Sequence, residues 1–350
     1  MKIDNYELET LLTDHNLLEG LLNKAEQIRL KKRGNKVYLR GLIEFSNYCS
    51  RDCYYCGIRR SNLKVNRYHL SKTEILDLAK IAYADGYQSI SLQSGEITTD
   101  KEVNFIADII KEIKDLTPPG TKSLGITLST GELSYPQYQR LWEAGAHRYL
   151  LRIESSNKKL FQAIHPPEQS FEKRLECLHF LKELGFQVGT GVMVGLPGQT
   201  YADLVQDLQF FASFGVDMVG LGPYIPHKDT PMGIKAEPLL ISDPYTTTLK
   251  MLALTRIIMP DINMVASTAL QTINKAGLEA GIKAGANIIM PILTPSLVRG
   301  EYTLYNGKLY TPLEELTKRI EAINYKVGLW EWGDSPYYFI RNNTSHREGC

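Results

Sequence analysis

The apolar run Val37-Tyr38-Leu39-Arg40-Gly41-Leu42-Ile43-Glu44-Phe45 leads into Cys49-Ser50-Arg51-Asp52-Cys53-Tyr54-Tyr55-Cys56, and these two pieces set the reading of the chain. The first has strand length; the second places three thiols at C-x3-C-x2-C spacing. Thiolates are soft ligands suited to iron–sulfur clusters and to zinc, and three so close in sequence converge on one centre only if the chain loops tightly around it. An ordinary [4Fe-4S] cluster takes four cysteines, and this loop offers three. Either a distant residue supplies the last ligand, or one iron stays open to a small molecule. Zinc usually arrives with paired C-x2-C knuckles or a nearby histidine, whereas the nearest histidine, His69, lies thirteen residues past Cys56 in a polar stretch. The residues favour a cluster over zinc, with a disulfide last.

At 350 residues with 43% hydrophobic content, the chain has room for one large domain or two ordinary ones with a substantial core. Its 40 basic and 39 acidic side chains leave a formal charge of +1, so no overall field favours nucleic acid or an anionic membrane. Residues 1–7 carry acids and lack the apolar core of a secretion signal, and no stretch reaches the length needed to span a bilayer. The expected location is cytoplasmic, where a reducing compartment keeps the loop cysteines as thiols. Of the five cysteines, Cys177 falls in a helical pattern and reads as a buried apolar thiol, while Cys350 ends a polar tail and has no expected structural role.

Residues 4–33 show helical leucine spacing interrupted at Thr13-Asp14. After residues 37–45, strand-like runs recur at 89–93, 124–128, 147–153, 187–194, 216–221, 264–267 and 286–290, each separated from the next by an amphipathic helical pattern closed by Gly or Pro. Eight such units predict an α/β fold, a (β/α)8 TIM-type barrel, with a helical N-terminal cap (1–36), the barrel (37–299) and a short C-terminal extension (300–350) closing it. An open doubly wound sheet is the alternative, but no Gly-rich dinucleotide fingerprint marks a switch point. Residues 312–322 look helical, and the polar tail from Tyr337 onward is expected to fray.

In such a barrel the loops after the strands share one face, and the cysteine loop leaves strand one on that face. Gln93-Ser94-Gly95-Glu96 follows strand two and has the composition of an ordinary turn; Glu154 and Arg174, taken singly, read as surface ion-pair residues. Their shared position on the rim changes the odds, because a bound zwitterion needs an acceptor for its ammonium and donors for its carboxylate. His227 by itself reads as a loop histidine.

With these residues in view, C-x3-C-x2-C after the first strand resembles the radical S-adenosylmethionine (SAM) superfamily. The resemblance implies a [4Fe-4S] cluster on Cys49, Cys53 and Cys56, SAM chelating the open iron, and reductive cleavage of SAM to a 5′-deoxyadenosyl radical. It places Tyr55 near the adenine, gives Ser94, Gly95 and Glu96 the amino group, and gives Ser129, Glu154 and Arg174 the ribose and carboxylate; Gln93, Met193 and Leu221 complete the SAM-contacting set. Ile43 to Asn47, residues 92–96, 194–200, 217–226 and 286–291 resemble more specifically the HydE-type maturases of [FeFe]-hydrogenase, over roughly residues 35–305. That likeness implies a role in assembling the H-cluster. The substrate would be a small cysteine-bound Fe(CO)2(CN) complex made by the partner maturase HydG, in a cavity lined by Thr130, Arg152, Thr268, Met290 and Tyr302. HydG and HydF become possible partners, together with an electron donor. Some such maturases carry three further cysteines for an auxiliary cluster; residues 300–349 contain none, so that cluster is expected to be absent.

The enzyme rival is a relative of methylornithine synthase. An amino-acid substrate needs a buried carboxylate for its ammonium, and the strand ends offer mainly Gln93, Thr130, Ser267 and Thr268, with Glu132 an unassigned acid. A non-catalytic iron–sulfur scaffold would show decayed SAM positions, and here they look complete. Sulfur insertion of the biotin-synthase kind would need a second cluster, for which no clustered ligands are present.

Overall fold

The structure is a computed structural model that describes residues 4–118, 120–235 and 238–342. Its strands are β1 (Lys36–Leu39), β2 (Gly41–Ser46), β3 (Ser89–Ser94), β4 (Gly125–Ser129), β5 (Arg148–Leu150), β6 (Gln187–Thr190), β7 (Met193–Val194), β8 (Met218–Pro223), β9 (Asn263–Ala266), β10 (Ile288–Ile289) and β11 (Lys326–Gly328). The order is β11-β1-β10-β9-β8-β6-β5-β4-β3-β2, with β7 beside β8, and every pairing is parallel. Only Arg40 separates β1 from β2, and Leu42 bridges in parallel to Ile292. Leu42 N–H donates to Pro291 O and Leu293 N–H to Leu42 O, each at 2.7 Å. The path therefore closes on itself. Residues 36–46 form one broken strand whose first half lies on β10 and whose second half lies on β3.

Because helices cover the outside and side chains fill the inside, the inner strands are buried on both faces; all six residues of β2 are buried. The intervening helices begin promptly after the strand-end loops. Ser71 with Glu74, Thr99 with Glu102 and Thr200 with Asp203 form reciprocal capping boxes that satisfy two orphan N–H donors each. The N-terminal helices Asn5–Thr13 and Leu18–Arg33 pack on the outer-layer helices Tyr201–Phe214 and Pro244–Ile258. Cys177 is buried in the helix Phe171–Glu183, as its pattern suggests. Among the described residues no helix is long and apolar enough to cross a membrane.

Three expectations change in detail. The predicted strand 187–194 breaks between β6 and β7, where a side chain at Gly191 would put its Cβ 1.9 Å from Gly220 O, so β6 and β8 approach too closely for anything larger. The predicted helix after strand seven divides into Thr268–Ile273 and Gly277–Lys283.

The tail departs most. It forms β11 beside β1, and the helix Pro336–Arg341 continues past Tyr337, where the sequence predicts fraying, across the N-terminal ends of the strands; the rest of that stretch, 343–350, lies outside the described residues. Arg148 Nε donates to Asp334 Oδ1 at 2.9 Å, Asn263 Nδ2 to Gly333 O at 2.8 Å, and Arg341 holds Asp217 with bonds of 2.9 and 2.7 Å. Polar composition misled because these charges have buried partners far away in sequence. Cys350 lies outside the described residues.

Candidate functional site

At the opposite, C-terminal ends of the strands lies a cavity of about 350 Å³, and all three loop cysteines line it. The loop is drawn onto the end of β3: Glu96 N–H points at Cys49 Sγ (3.3 Å), as does Arg51 N–H (3.4 Å), and Ser50 N–H donates to Glu96 O at 3.0 Å. Such closeness requires glycine at position 95, where an added Cβ would fall 2.2 Å from Tyr48 O and 2.6 Å from Cys49 Cβ. Burial pushes the thiols up, that of Cys56 to about 12, so the loop is protonated until a metal displaces the protons. All three are free thiols, which removes the disulfide reading. His69, the zinc candidate, is spent elsewhere, with its ring against Phe45 and Phe105. Among the described residues no three His, Cys, Asp or Glu side chains are gathered around a point where a single ion would sit. A cube of iron and sulfide holds its cysteines further apart than one ion does. Three soft donors in a tight loop, opening on a chamber that can take a small chelator, therefore fit a [4Fe-4S] cluster with one iron left for SAM.

Beside the loop, two arginines and two glutamates form a ring. Arg51 meets Glu96 at 2.9 Å and Glu132 at 3.0 Å; Arg174 meets Glu96 at 2.8 Å and Glu132 at 2.6 Å. Arg174 also donates to Arg152 O. Burial works against its charge, but Glu96 and Glu132 outweigh burial and push its pKa up. Arg152 forks onto both oxygens of Glu154 (2.9 Å each) and donates to Gly220 O at 2.6 Å. Glu154 sits at φ 62°, a left-handed backbone that costs energy in a non-glycine residue and gathers at functional sites. Tyr55 Oη lies 3.3 Å from His165 Nε2, whose ring stacks on Phe161. Burial, then Arg174, lowers the His165 pKa to about 3, leaving the ring neutral.

The structure brings together most of the residues singled out from sequence. Tyr55, Gln93, Ser94, Gly95, Glu96, Ser129, Glu154, Arg174 and Met193 line the cavity, as do Arg152, Thr268, Met290 and Tyr302. Thr130 and Leu221 do not. Thr130 is fully buried and shares a 2.8 Å hydrogen bond with Tyr149 Oη, while its neighbour Ser129 faces the cavity. Leu221 packs in the core between the lining residues Gly220 and Gly222. Both fail for one reason: side chains alternate along a strand, so each sits one residue out of phase with the interior. Arg174 reaches the rim from a helix and not from a strand end.

Several lining residues escaped the sequence reading. Arg51 is inside the cysteine motif itself. Glu132, left unassigned, does not line the cavity itself but is the second acid of the ring behind it. Glu44 and Lys308 meet inside the chamber, and Tyr305 comes from the same segment as Lys308. Ser267 Oγ and Tyr224 Oη, on lining residues, are buried with no protein partner. Such orphans are costly unless something else satisfies them, and on the cavity wall a bound group can do so.

With this geometry in place, comparisons with known proteins are direct. Residues 43–211 match the model of the Radical SAM superfamily. The chain is 44% identical over 334 residues to the [FeFe] hydrogenase maturase subunit HydE of Thermotoga maritima, covering 94% of this chain and 92% of that one. It is 29% identical over 277 residues to 3-methylornithine synthase of Methanosarcina acetivorans, covering 79% and 75%. Among solved structures, methylornithine synthase (PylB) superposes with a TM-score of 0.82 at 24% identity, covering 94% of this chain and 95% of that one, so the barrel fold is shared. The chain is a radical SAM enzyme and belongs to the family of HydE-type hydrogenase maturases.

Proposed function

We propose that the chain acts in assembly of the [FeFe]-hydrogenase H-cluster, on a cysteine-bound Fe(CO)2(CN) precursor supplied by HydG, with HydF and an electron donor as further partners. One observation carries the reading: the three-thiol loop, Arg51, Glu96 and Arg174 of the arginine–glutamate ring, and the residues of the barrel interior all line one cavity. Cys49, Cys53 and Cys56 would hold the cluster through three irons. Bound there, cluster and SAM supply one-electron cleavage of a carbon–sulfur bond, which yields the 5′-deoxyadenosyl radical. Glu96 would accept from SAM's ammonium, Arg174 would turn one N–H to its carboxylate, and Ser129 and Glu154 would fix the ribose. Arg152, Thr268, Met290 and Tyr302 would position the precursor below it.

A second reading, a radical SAM amino-acid mutase related to methylornithine synthase, gains support from one residue. Glu44 is a fully buried carboxylate on the cavity wall, the acceptor that the strand ends lack on sequence alone.

The deciding experiment is anaerobic reconstitution with iron and sulfide, then dithionite and SAM, following 5′-deoxyadenosine with and without the HydG product. Release or capture of the adenosyl group that depends on the iron complex supports the maturase. Cleavage indifferent to the complex but stimulated by lysine supports the mutase, and no cleavage with an intact reduced cluster removes both.

A further inference from the structure

Glu44 and Lys308 make an unusual pair. Glu44 points from β2 into the chamber with its side chain fully buried; Lys308 comes from the segment that follows the helix Ser296–Arg299, and its ammonium contacts Glu44 Oε1. Both line the cavity, together with Gln93 and Tyr302, and Gln93 Nε2 donates to Tyr302 Oη at 3.2 Å. The Lys308 ammonium lies 5.1 Å from the centre of the Tyr302 ring. Among the described residues no ion pair joins this pair to the arginine–glutamate ring by the cysteines. As a purely structural link it is poor value: a buried ion pair seldom outperforms apolar packing of the same volume. Burial pushes the Glu44 carboxyl up, Lys308 and Thr294 pull it back, and Thr294 Oγ1 stands at a weak 3.5 Å. The carboxylate therefore has acceptor capacity to spare, and the ammonium has two further protons to donate.

The geometry points to this pair as the receptor for the amino-acid end of the substrate: Glu44 accepts from an amine N–H, free or metal-bound, and Lys308 donates to a carboxylate oxygen. The two charges compensate each other while the chamber is empty and separate to take an amine and a carboxylate of matching sign, so net charge in the chamber is conserved. The inference rests on the proposed function, and what it adds is the pair of residues that would hold the substrate's amino-acid end, whichever chemistry follows.

The test uses reconstituted, full-length protein with three Fe(CO)2(CN) complexes, of cysteine, of cysteamine (no carboxylate) and of 3-mercaptopropionate (no amine), reading complex-dependent consumption of SAM, as 5′-deoxyadenosine or as captured adenosyl product. Wild type should favour the cysteine complex by about tenfold or more over each analogue, the range set by one charge-assisted hydrogen bond. Lys308→Met should erase the discrimination against the cysteamine complex alone, and Glu44→Gln that against the 3-mercaptopropionate complex alone. Ratios within one variant cancel any loss of folded protein. Equal loss on all three complexes, or ratios unchanged from wild type, would overturn the assignment. If wild type turns over none of the complexes, the maturase reading fails separately, and lysine, 1,5-diaminopentane and 6-aminohexanoate take their place; absence of the same paired pattern there overturns the receptor as well.

Discussion

The two ends of the barrel use the same strands and the same kinds of side chain to opposite purpose. At the N-terminal end Arg148, Arg33 and Arg341 are matched by Asp334, backbone carbonyls and Asp217, and the tail segment is packed across them. At the C-terminal end Arg51, Arg174, Glu96 and Glu132 are also matched, but to one another and around an open cavity. The first arrangement uses its ion pairs to hold the tail across the strands, although Arg33 Nε and Arg40 Nε stay buried there without a partner among the described residues. The second is neutral before anything binds and can exchange partners with a zwitterion at no net charge, and its wall keeps unpartnered hydroxyls. Buried ion pairs are weak evidence of stability in either place; what separates them is whether space is left beside them.

Changes at the two ends should therefore separate activity from stability. Cys53→Ala, on the rim, should take SAM cleavage to background, a loss of at least about a thousandfold since the cofactors carry the reaction. Urea unfolding of the metal-free protein should move by no more than about 0.5 kcal/mol, as for other substitutions away from the packed core. An unfolding shift of several times that would blur the division. Asp334→Ala, at the base, should do the reverse. It strands the fully buried Arg148 and should cost about 3–5 kcal/mol in urea unfolding, with an unaltered cluster signal per folded molecule.

Arg174→Ala should weaken SAM binding about 10- to 100-fold by calorimetry, the worth of a charge-assisted hydrogen bond; unchanged affinity would take Arg174 out of the site. The smallest effect concerns pH. Burial, then Arg148, lowers the His147 pKa to about 3, despite Asp334 at 3.4 Å, and the ring stacks on Trp332. The unfolded chain takes up that proton near pH 6.5 and the folded chain does not, so this contribution is complete above pH 6.5 and drains away as pH falls toward 3. The slope is on the order of 1 kcal/mol per pH unit. Urea midpoints at pH 7 and 5.5 should differ less in His147→Gln than in wild type. Asp334, held well below the carboxylate range by Arg148 against its burial, loses its contribution only at lower pH and does not confound the comparison.

The rim was far more legible in the sequence than the base. Short apolar runs and glycine stops mark the barrel strands locally, and the C-x3-C-x2-C spacing is itself a local signal, so motif and topology converge on one face. Thr130 and Leu221 went astray by a single residue of strand phase, which the pattern of a strand buried on both faces does not reveal. The base depends on pairs far apart in sequence: Arg148 with Asp334, and Asp217 with Arg341, whose tail looks merely polar. Glu44 hid for the same reason, since an acid inside an apolar strand acquires meaning only from Lys308, 264 residues away.

The central claim is that the rim loop builds a cluster with one iron reserved for SAM, and low-temperature EPR of the reduced, reconstituted protein tests it most directly. The account predicts a [4Fe-4S]+ signal that changes shape on adding SAM and is missing from Cys53→Ala. A signal indifferent to SAM, or one that persists in Cys53→Ala, would contradict it.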